Sequence, residues 1–186
     1  MLSILITIYN YNLLPLVKEL HQQCLDLNID FEILTQDDAS NSVYNVENEK
    51  INHLSNCQFI SLKKNVGYRE NKNILVSSSK FENLLILDGD CLLPYPNFIK
   101  NYLNEIEDYE VVYGGRIHAE KAPSKNQLLR WKYGKHMEDQ TVDQRNKNVY
   151  RATLFNNTFI KKTVFNQIKF DSSFKKYGND DTLFLF

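Results

Sequence analysis

The 186 residues contain no apolar run long enough to span a bilayer, and their amino terminus lacks the basic flank and small-residue cleavage site of a signal peptide. These absences predict a soluble, cytoplasmic chain with no transmembrane segment. Cysteine is scarce: Cys24, Cys57 and Cys91 form an odd set without paired spacing, which argues against a disulfide framework and a zinc site and leaves three small core residues. A surplus of charge of either sign is missing too. Lys and Arg number 22 and Asp and Glu 23, a net charge of -1, so no long-range pull toward nucleic acid or an anionic membrane follows. No internal repeat and no low-complexity linker interrupts the chain, and its length predicts one domain over residues 1–186. Hydrophobic residues make up 42% and aromatic residues 12%, enough for a folded core.

Leu2 to Ile8 is an uncharged, β-branched run that reads as a buried first strand, ending in the turn Tyr9-Asn10-Tyr11-Asn12. Leu13, Leu16, Val17, Leu20, Cys24 and Leu27 then recur at helical spacing behind Asn12, an N-cap candidate, with Pro15 in the first turn. Phe31 to Thr35 is the second strand and closes on Asp37-Asp38-Ala39-Ser40. A weaker helical pattern over Ser42 to Ser55 precedes a third strand, Cys57 to Leu62, and beyond the turn Asn65-Val66-Gly67-Tyr68 a helix is expected from Arg69 to Lys80. Strand and helix alternating in this way predict an α/β fold with a mostly parallel central sheet and right-handed crossovers.

Pro94 and Pro96 open a further helix, striped by Phe98, Ile99, Tyr102, Leu103 and Ile106, and Val111 to Tyr113 is a strand ended by Gly114-Gly115. Beyond Arg116 the pattern changes. Pro123 and Ser124 start a helix bearing Leu128, Leu129, Trp131 and Tyr133, and the polar stretch His136 to Asn148 reads as a mobile loop or lid. Thr153 to Ile160 is expected as a strand, Lys161 to Ile168 as a helix and Asp171 to Asn179 as a loop. The run Leu183-Phe184-Leu185-Phe186 behind Asp180-Asp181 needs a partner surface, which predicts that the natural chain continues past it and that this one is truncated at its C-terminus.

The most informative stretch is Leu84-Leu85-Ile86-Leu87-Asp88-Gly89-Asp90-Cys91. Four apolar residues followed at once by a turn read as a central strand buried on both faces, and the strand ends on two carboxylates. Ligands of open α/β sheets sit beyond the carboxyl ends of the strands, and Gly89 permits close approach there. Two hard oxygen donors suit Mg²⁺ or Mn²⁺ carried on a diphosphate. Taken alone, Asp88-Gly89-Asp90 is equally a turn after a strand. By the same standard Asp37-Asp38 could be a cap and turn, Asp180-Asp181 favourable charge at a helix N-terminus, and Arg69 and Lys72 a solvated helix face. His118 could reach a metal or lie on the surface, and Trp131 with Tyr133 could stack a sugar or line a helix.

Taken in order, these stretches resemble the inverting family 2 glycosyltransferases of GT-A fold over nearly the whole chain. Leu5-Ile6-Thr7-Ile8-Tyr9-Asn10 is similar to the family's opening strand, and Asp37-Asp38-Ala39-Ser40 to its Asp-Asp-Gly-Ser signature, with Ala39 in the place of glycine. Gly67-Tyr68-Arg69-Glu70-Asn71-Lys72-Asn73 is similar to its Gly-x-Arg-x-x-x-Asn segment, and Leu87-Asp88-Gly89-Asp90-Cys91 with Pro94 to its metal motif. Asn156-Asn157, Phe170-Asp171 and Tyr177-Gly178-Asn179-Asp180-Asp181 are similar to the run that carries the catalytic base, with Asp180 in the place of glutamate.

The resemblance implies a GT-A, Rossmann-like three-layer sandwich: residues 1–115 form the nucleotide-sugar-binding half and residues 116–186 the acceptor-side half. It implies a metal-dependent, hexosyltransferase-like inverting enzyme that moves a sugar from a nucleotide-diphosphosugar, in first place a UDP-sugar, to an acceptor hydroxyl in cell-surface polysaccharide or glycan synthesis. Asp90, with Asp88, would hold Mn²⁺ or Mg²⁺ against the diphosphate. Thr7 and Tyr9 would contact the base, Asp38 the uracil N–H or the ribose, and Arg69 the base or a phosphate, with Lys72 also at the nucleotide and Asp181 as general base. The acceptor would be a glycan or a lipid-linked glycan met in the cytoplasm or at the inner face of the membrane, through peripheral contact. Two other functions share parts of the pattern. A catalytically silent sugar-nucleotide-binding module would need no base, and a nucleotidyltransferase would need a Gly-rich basic loop where Tyr9-Asn10-Tyr11-Asn12 stands.

Overall fold

In chain order the computed structural model, which describes residues 1–173 and 180–185, begins with β1 (Leu2–Ile8), α1 (Leu14–Asp26), β2 (Phe31–Asp37) and α2 (Asn45–Asn48), the last prolonged by a 3₁₀ turn over Glu49–His53. There follow β3 (Cys57–Ser61), α3 (Tyr68–Ser78), β4 (Asn83–Asp88), α4 (Phe98–Leu103) and β5 (Val111–Tyr113). A 3₁₀ turn over Lys125–Gln127 leads into α5 (Leu128–Tyr133) and a π turn over Gly134–Glu138. Then come α6 (Val142–Asn146), α7 (Val149–Ala152), β6 (Asn157–Lys161), α8 (Lys162–Ile168) and α9 (Asp180–Leu185).

The strands form one sheet in the order β3-β2-β1-β4-β6-β5. β1 pairs in parallel with β2 and β4, and β2 with β3, whereas β6 runs antiparallel to β4 and β5. Alternation divides the core. Leu2, Ile4, Ile6 and Ile8 of β1 and Leu85 and Leu87 of β4 pack with Leu16, Val17 and Leu20 of α1 and Phe98, Ile99 and Tyr102 of α4. Leu5, Leu84 and Ile86 point to the other face, onto Leu75 and Val76 of α3 and Phe165 of α8. Helices thus cover both faces of the sheet, which is why its central strands are apolar without interruption. Among the described residues no helix is long and apolar enough to cross a membrane.

Several boundaries and one whole segment differ from expectation. α1 begins behind a double cap: the Leu14 N–H donates to Asn12 Oδ1 at 3.2 Å and the Leu13 N–H to Asn48 Oδ1 at 2.8 Å. Pro94 and Pro96 lie ahead of α4 instead of opening it, and Asn157, not Thr153, begins β6 because Val149–Ala152 turns as α7 with the Asn148 side chain accepting from the Arg151 N–H. Residues 136–148 were expected as a mobile loop and are instead turned structure. Thr141 and Gln144 form a reciprocal capping box on α6, while Glu138 and Asp139 hold Arg130, Lys135 and His118. Capping and ion pairing order a segment that has little apolar periodicity to show.

The expected partner surface for the final apolar run lies, for Phe184, inside this chain. Phe184 is buried and its ring centroid stands 4.5 Å from that of Phe155, 4.8 Å from Phe170 and 5.1 Å from Phe165. Edge-on and tilted aromatic contacts of this kind add to area burial. Asp181 is three residues from Phe184 on α9, so the same packing fixes both. Shortening the anchor with Phe184→Leu should cost about 1–2 kcal/mol in urea unfolding; an unchanged unfolding midpoint would mean that the aromatic cluster does not hold α9. Residues 174–179, which include the Tyr177-Gly178-Asn179 part of the last motif, lie outside the described residues.

Candidate active site

The parallel strands end on one edge of the sheet, and a cavity of about 570 Å³ opens there. Thr7, Ile8, Tyr9 and Tyr11 line it from the end of β1, Asp38, Asn65 and Gly67 from the loops after β2 and β3, Tyr68 and Asn71 from the first turn of α3, and Asp88, Gly89 and Asp90 from the end of β4. Of the residues named from sequence, Thr7, Tyr9, Asp38, Asp88 and Asp90 therefore share one cavity. Arg69 does not line it; it is near enough to Asp171 for its charge to add to the Ser173 hydrogen bonds that hold that carboxyl below its usual range.

The two glycine positions of the motifs have separate reasons. A Cβ on Gly89 would meet Ile8 Cγ2 at 2.0 Å, so only glycine lets the end of β4 lie against β1. Ala39, at the place of the signature glycine, has φ 56°, a left-handed backbone that costs an alanine roughly 1–2 kcal/mol. What holds this turn is Asp37. Its buried carboxylate accepts from the Ser40 N–H at 3.0 Å, the Ser40 hydroxyl at 2.5 Å, Asn45 Nδ2 at 3.1 Å and the Ser61 hydroxyl at 3.1 Å. Burial pushes the Asp37 carboxyl up, but these donors together bring it below the usual range. Asp38 is the member of the pair that reaches the cavity, and it has structural work as well: its two oxygens accept from the Val66 N–H at 2.7 Å and the Gly67 N–H at 2.9 Å. Each oxygen retains a lone pair for a ligand.

Lys72 is the unusual feature. It is 1% exposed and lies under the cavity floor, not in its wall. Its ammonium donates to Asp88 Oδ1 at 2.9 Å and to the Phe155 carbonyl at 2.8 Å, and sits 4.5 Å from the Tyr68 ring centroid. Asp181 is its neighbour. The Asp181 carboxyl receives hydrogen bonds from the Phe155 N–H and the Tyr68 hydroxyl, while its Oδ1 is buried without a hydrogen-bond partner among the described residues. Burial raises the Asp181 carboxyl above its usual range, the Asp88 charge adds to the rise, and Lys72 and the two hydrogen bonds oppose it. Asp88 at the end of β4 and Asp181 of α9 are thus both under the charge of Lys72.

Among the described residues no group of three or more His, Cys, Asp and Glu could hold a metal ion. Two carboxylates suffice for an ion that arrives on phosphate oxygens, and Asp88 and Asp90 fit that demand, since Lys72 occupies only Oδ1 of Asp88 and Asp90 is exposed at the cavity. His118 is engaged elsewhere: its Nδ1 is 2.6 Å from Asp139 Oδ1, and it packs against Gly134, where a Cβ would come within 2.3 Å of Nε2. Trp131 donates through Nε1 to the Ala119 carbonyl at 2.7 Å.

Asn71 was not singled out from sequence as a site residue. It is 1% exposed, lines the cavity, and its Oδ1 has no hydrogen-bond partner among the described residues. The available signal was its place four residues after Gly67, where the first turn of α3 brings it back to the same side.

The fold is similar to that of solved glycosyltransferases. S. aureus TarS (residues 1–349) superposes with a TM-score of 0.66 at 19% identity, over 99% of this chain and 53% of that one. TarS in complex with UDP-GlcNAc gives 0.64 at 19% identity, over 99% and 52%. The mannosyltransferase PcManGT from Pyrobaculum calidifontis, in complex with GDP-Man and Mn²⁺, gives 0.59 at 15% identity, over 97% and 49%. The chain spans about half the length of these TarS and PcManGT chains, and the shared fold is GT-A. The sequence profile of Glycosyl transferase family 2 matches residues 3–171, and the chain belongs to this family. No curated protein matches it.

Proposed function

We propose that this chain binds a nucleotide-diphosphosugar, with UDP as the nucleotide, and transfers the sugar to an acceptor hydroxyl with inversion at the anomeric carbon. The observation that carries the reading is the meeting of Asp88 at the cavity with Asp181, a carboxylate held above its usual range and with one oxygen free of partners. The acceptor hydroxyl oxygen forms a bond to the anomeric carbon as the bond to the diphosphate oxygen breaks, the electron pair leaving with the nucleotide. Asp181 takes the hydroxyl proton, and a single displacement with one base inverts the centre. A covalent intermediate would call for a second carboxylate nucleophile about 5 Å from the first, a role for which the site offers no assigned group.

Asp88 and Asp90 would hold Mn²⁺ or Mg²⁺, which when bound neutralises charge on the leaving diphosphate. Thr7, Tyr9 and Asp38, with Asn71 added to them, would hold the nucleoside. Arg69 is kept as a ligand of the outer nucleotide, and Lys72 acts on it from beneath, through Asp88. TarS crystallised with UDP and with UDP-GlcNAc supports the choice of uridine. The three unpaired thiols suit a reducing compartment. We therefore place the reaction in the cytoplasm, with the acceptor glycan free or lipid-linked at the inner membrane face.

Calorimetric titration of UDP and GDP with Mn²⁺ into the wild-type chain and Asp90→Ala tests this reading. UDP should bind in a metal-dependent manner and lose at least ~10-fold affinity in the variant, one charge-assisted ligand being worth about 1.5–3 kcal/mol. Absence of metal-dependent binding of either nucleotide would overturn it.

A further inference from the structure

The glycosyltransferase reading leaves the chemistry of the acceptor open, and the surroundings of Asp181 on the β5 side narrow it. Asp88 closes β4 and Tyr113 closes β5, with β6 between them in the sheet, a separation of about 10 Å at ~4.8 Å per strand. Tyr113 is exposed to the charges of Arg116, Arg145, Asp181 and Glu138, whereas Asp181 also senses Lys72 and Asp88. Asp181 is thus within electrostatic reach of Asp88 on one side and of Tyr113, which Arg116 and Arg145 also reach, on the other. An acceptor hydroxyl that attacks in line approaches from the face of the sugar away from the diphosphate, which in this reading is the side on which Asp181 stands.

Those guanidinium groups carry charge that the protein does not fully answer. Arg116 Nη2 is 3.3 Å from Glu138, but that carboxylate also takes Arg130 at 3.0 Å, and Arg116 Nε is buried without a hydrogen-bond partner among the described residues. Arg145 stands 5.5 Å from the Tyr113 ring centroid and donates to the Gln140 carbonyl at 2.6 Å, with no carboxylate bonded to it among the described residues. It lies directly over Gly115, where a Cβ would come within 2.5 Å of Nη1. The surplus extends outward. Residues 116–152 hold nine Lys and Arg against four Asp and Glu, in a chain whose net charge is -1, so the rest of the molecule is acidic.

We propose that Tyr113, Arg116 and Arg145 form an acceptor subsite for an anionic group, a phosphate or carboxylate borne close to the hydroxyl that receives the sugar, and that the acceptor is a polyanionic chain lying along residues 116–152. This rests on the glycosyltransferase reading and adds the substrate class to it. A planar guanidinium pair recognises such groups by forked, charge-assisted hydrogen bonds. A flat anionic bilayer would meet the exposed Lys121, Lys125 and Lys132 but not the half-buried Arg116 beside the base.

The test is fluorescence anisotropy of a fluorescein-labelled polyphosphate chain in 0.15 M salt, about the physiological ionic strength, run beside calorimetry of UDP with Mn²⁺. The proteins are the wild type, Arg116→Gln/Arg145→Gln and, as an equal loss of charge on the outer surface, Lys121→Gln/Lys125→Gln. The arginine pair should lose at least ~10-fold polyphosphate affinity, the lysine pair less than about threefold, with UDP affinity within twofold in both. Equal losses in the two variants would assign the binding to diffuse surface charge, as for a membrane, and overturn the subsite. A parallel fall in UDP affinity would give the arginines to the leaving diphosphate and overturn it too. UDP binding by a wild type that ignores polyphosphate sinks the subsite alone, whereas a wild type that binds neither sinks the glycosyltransferase reading with it.

Discussion

Asp181→Asn should bind UDP with Mn²⁺ as the wild type does and turn over about 10²- to 10⁴-fold more slowly, the range that a positioned general base supplies. The substitution is close to isosteric, and its carboxamide oxygen can still accept from the Phe155 N–H and the Tyr68 hydroxyl that now serve the carboxylate. Asp181 does not line the cavity at the strand ends, where the nucleotide is proposed to bind, so ground-state affinity has no reason to move. What disappears is a group able to take a proton. The sign of the pH dependence follows from the same surroundings. Burial and the Asp88 charge hold the carboxyl above its usual range, and only the ionised form accepts the acceptor proton, so wild-type kcat/KM should fall with falling pH at a point above the ordinary aspartate value of about 3.9. The residual rate of Asp181→Asn should lack that limb. A variant retaining more than about a tenth of wild-type turnover would remove Asp181 from the reaction.

The parts of this molecule legible in its sequence are those in which hydrophobicity alone decides. β1 occupies Leu2–Ile8 as the uncharged run predicts, and β4 is buried on both faces as Leu84 to Leu87 require. The direction of β6 is not written in hydropathy, since an antiparallel and a parallel strand buried on both faces carry the same residues. The polar stretch after Gly134 misleads for a related reason. Its order comes from a capping box and from carboxylates shared among cations, and neither leaves a periodic stripe. In the site, the carboxylates at strand ends are visible because turns and strand ends mark them. Lys72 is the opposite case: a cation on an amphipathic helix is expected to face water or a ligand, and nothing local announces that Asp88, sixteen residues on, and the Phe155 carbonyl will bury it. Asn71 hides in the same way, as a polar residue on the inward side of α3 whose purpose appears only with the cavity.

Because Lys72 is buried, the two aspartates of the Asp88-Gly89-Asp90 motif should differ sharply in what they do for stability. Asp88→Ala should lower the unfolding free energy by about 3–5 kcal/mol in urea, the cost of leaving a buried charge without its partner. The ammonium would keep its bond to the Phe155 carbonyl, the face of Tyr68 and the more distant charge of Asp181, with almost no access to water. Asp90→Ala should cost less than about 0.5 kcal/mol, as for an exposed side chain outside any network, although both substitutions remove a carboxylate from the cavity. The double variant Asp88→Ala/Lys72→Met should recover most of the loss. Methionine keeps the apolar stem in its slot and removes the stranded charge, so the cycle should show a coupling of at least ~2 kcal/mol where distant sites would simply add. Equal costs for the two aspartates, or a double variant no more stable than Asp88→Ala, would mean that the Lys72–Asp88 pair does not hold the site together. Lys72 bonds the end of β4 to the Phe155 carbonyl ahead of β6, and its charge acts on Asp88 and on Asp181 alike.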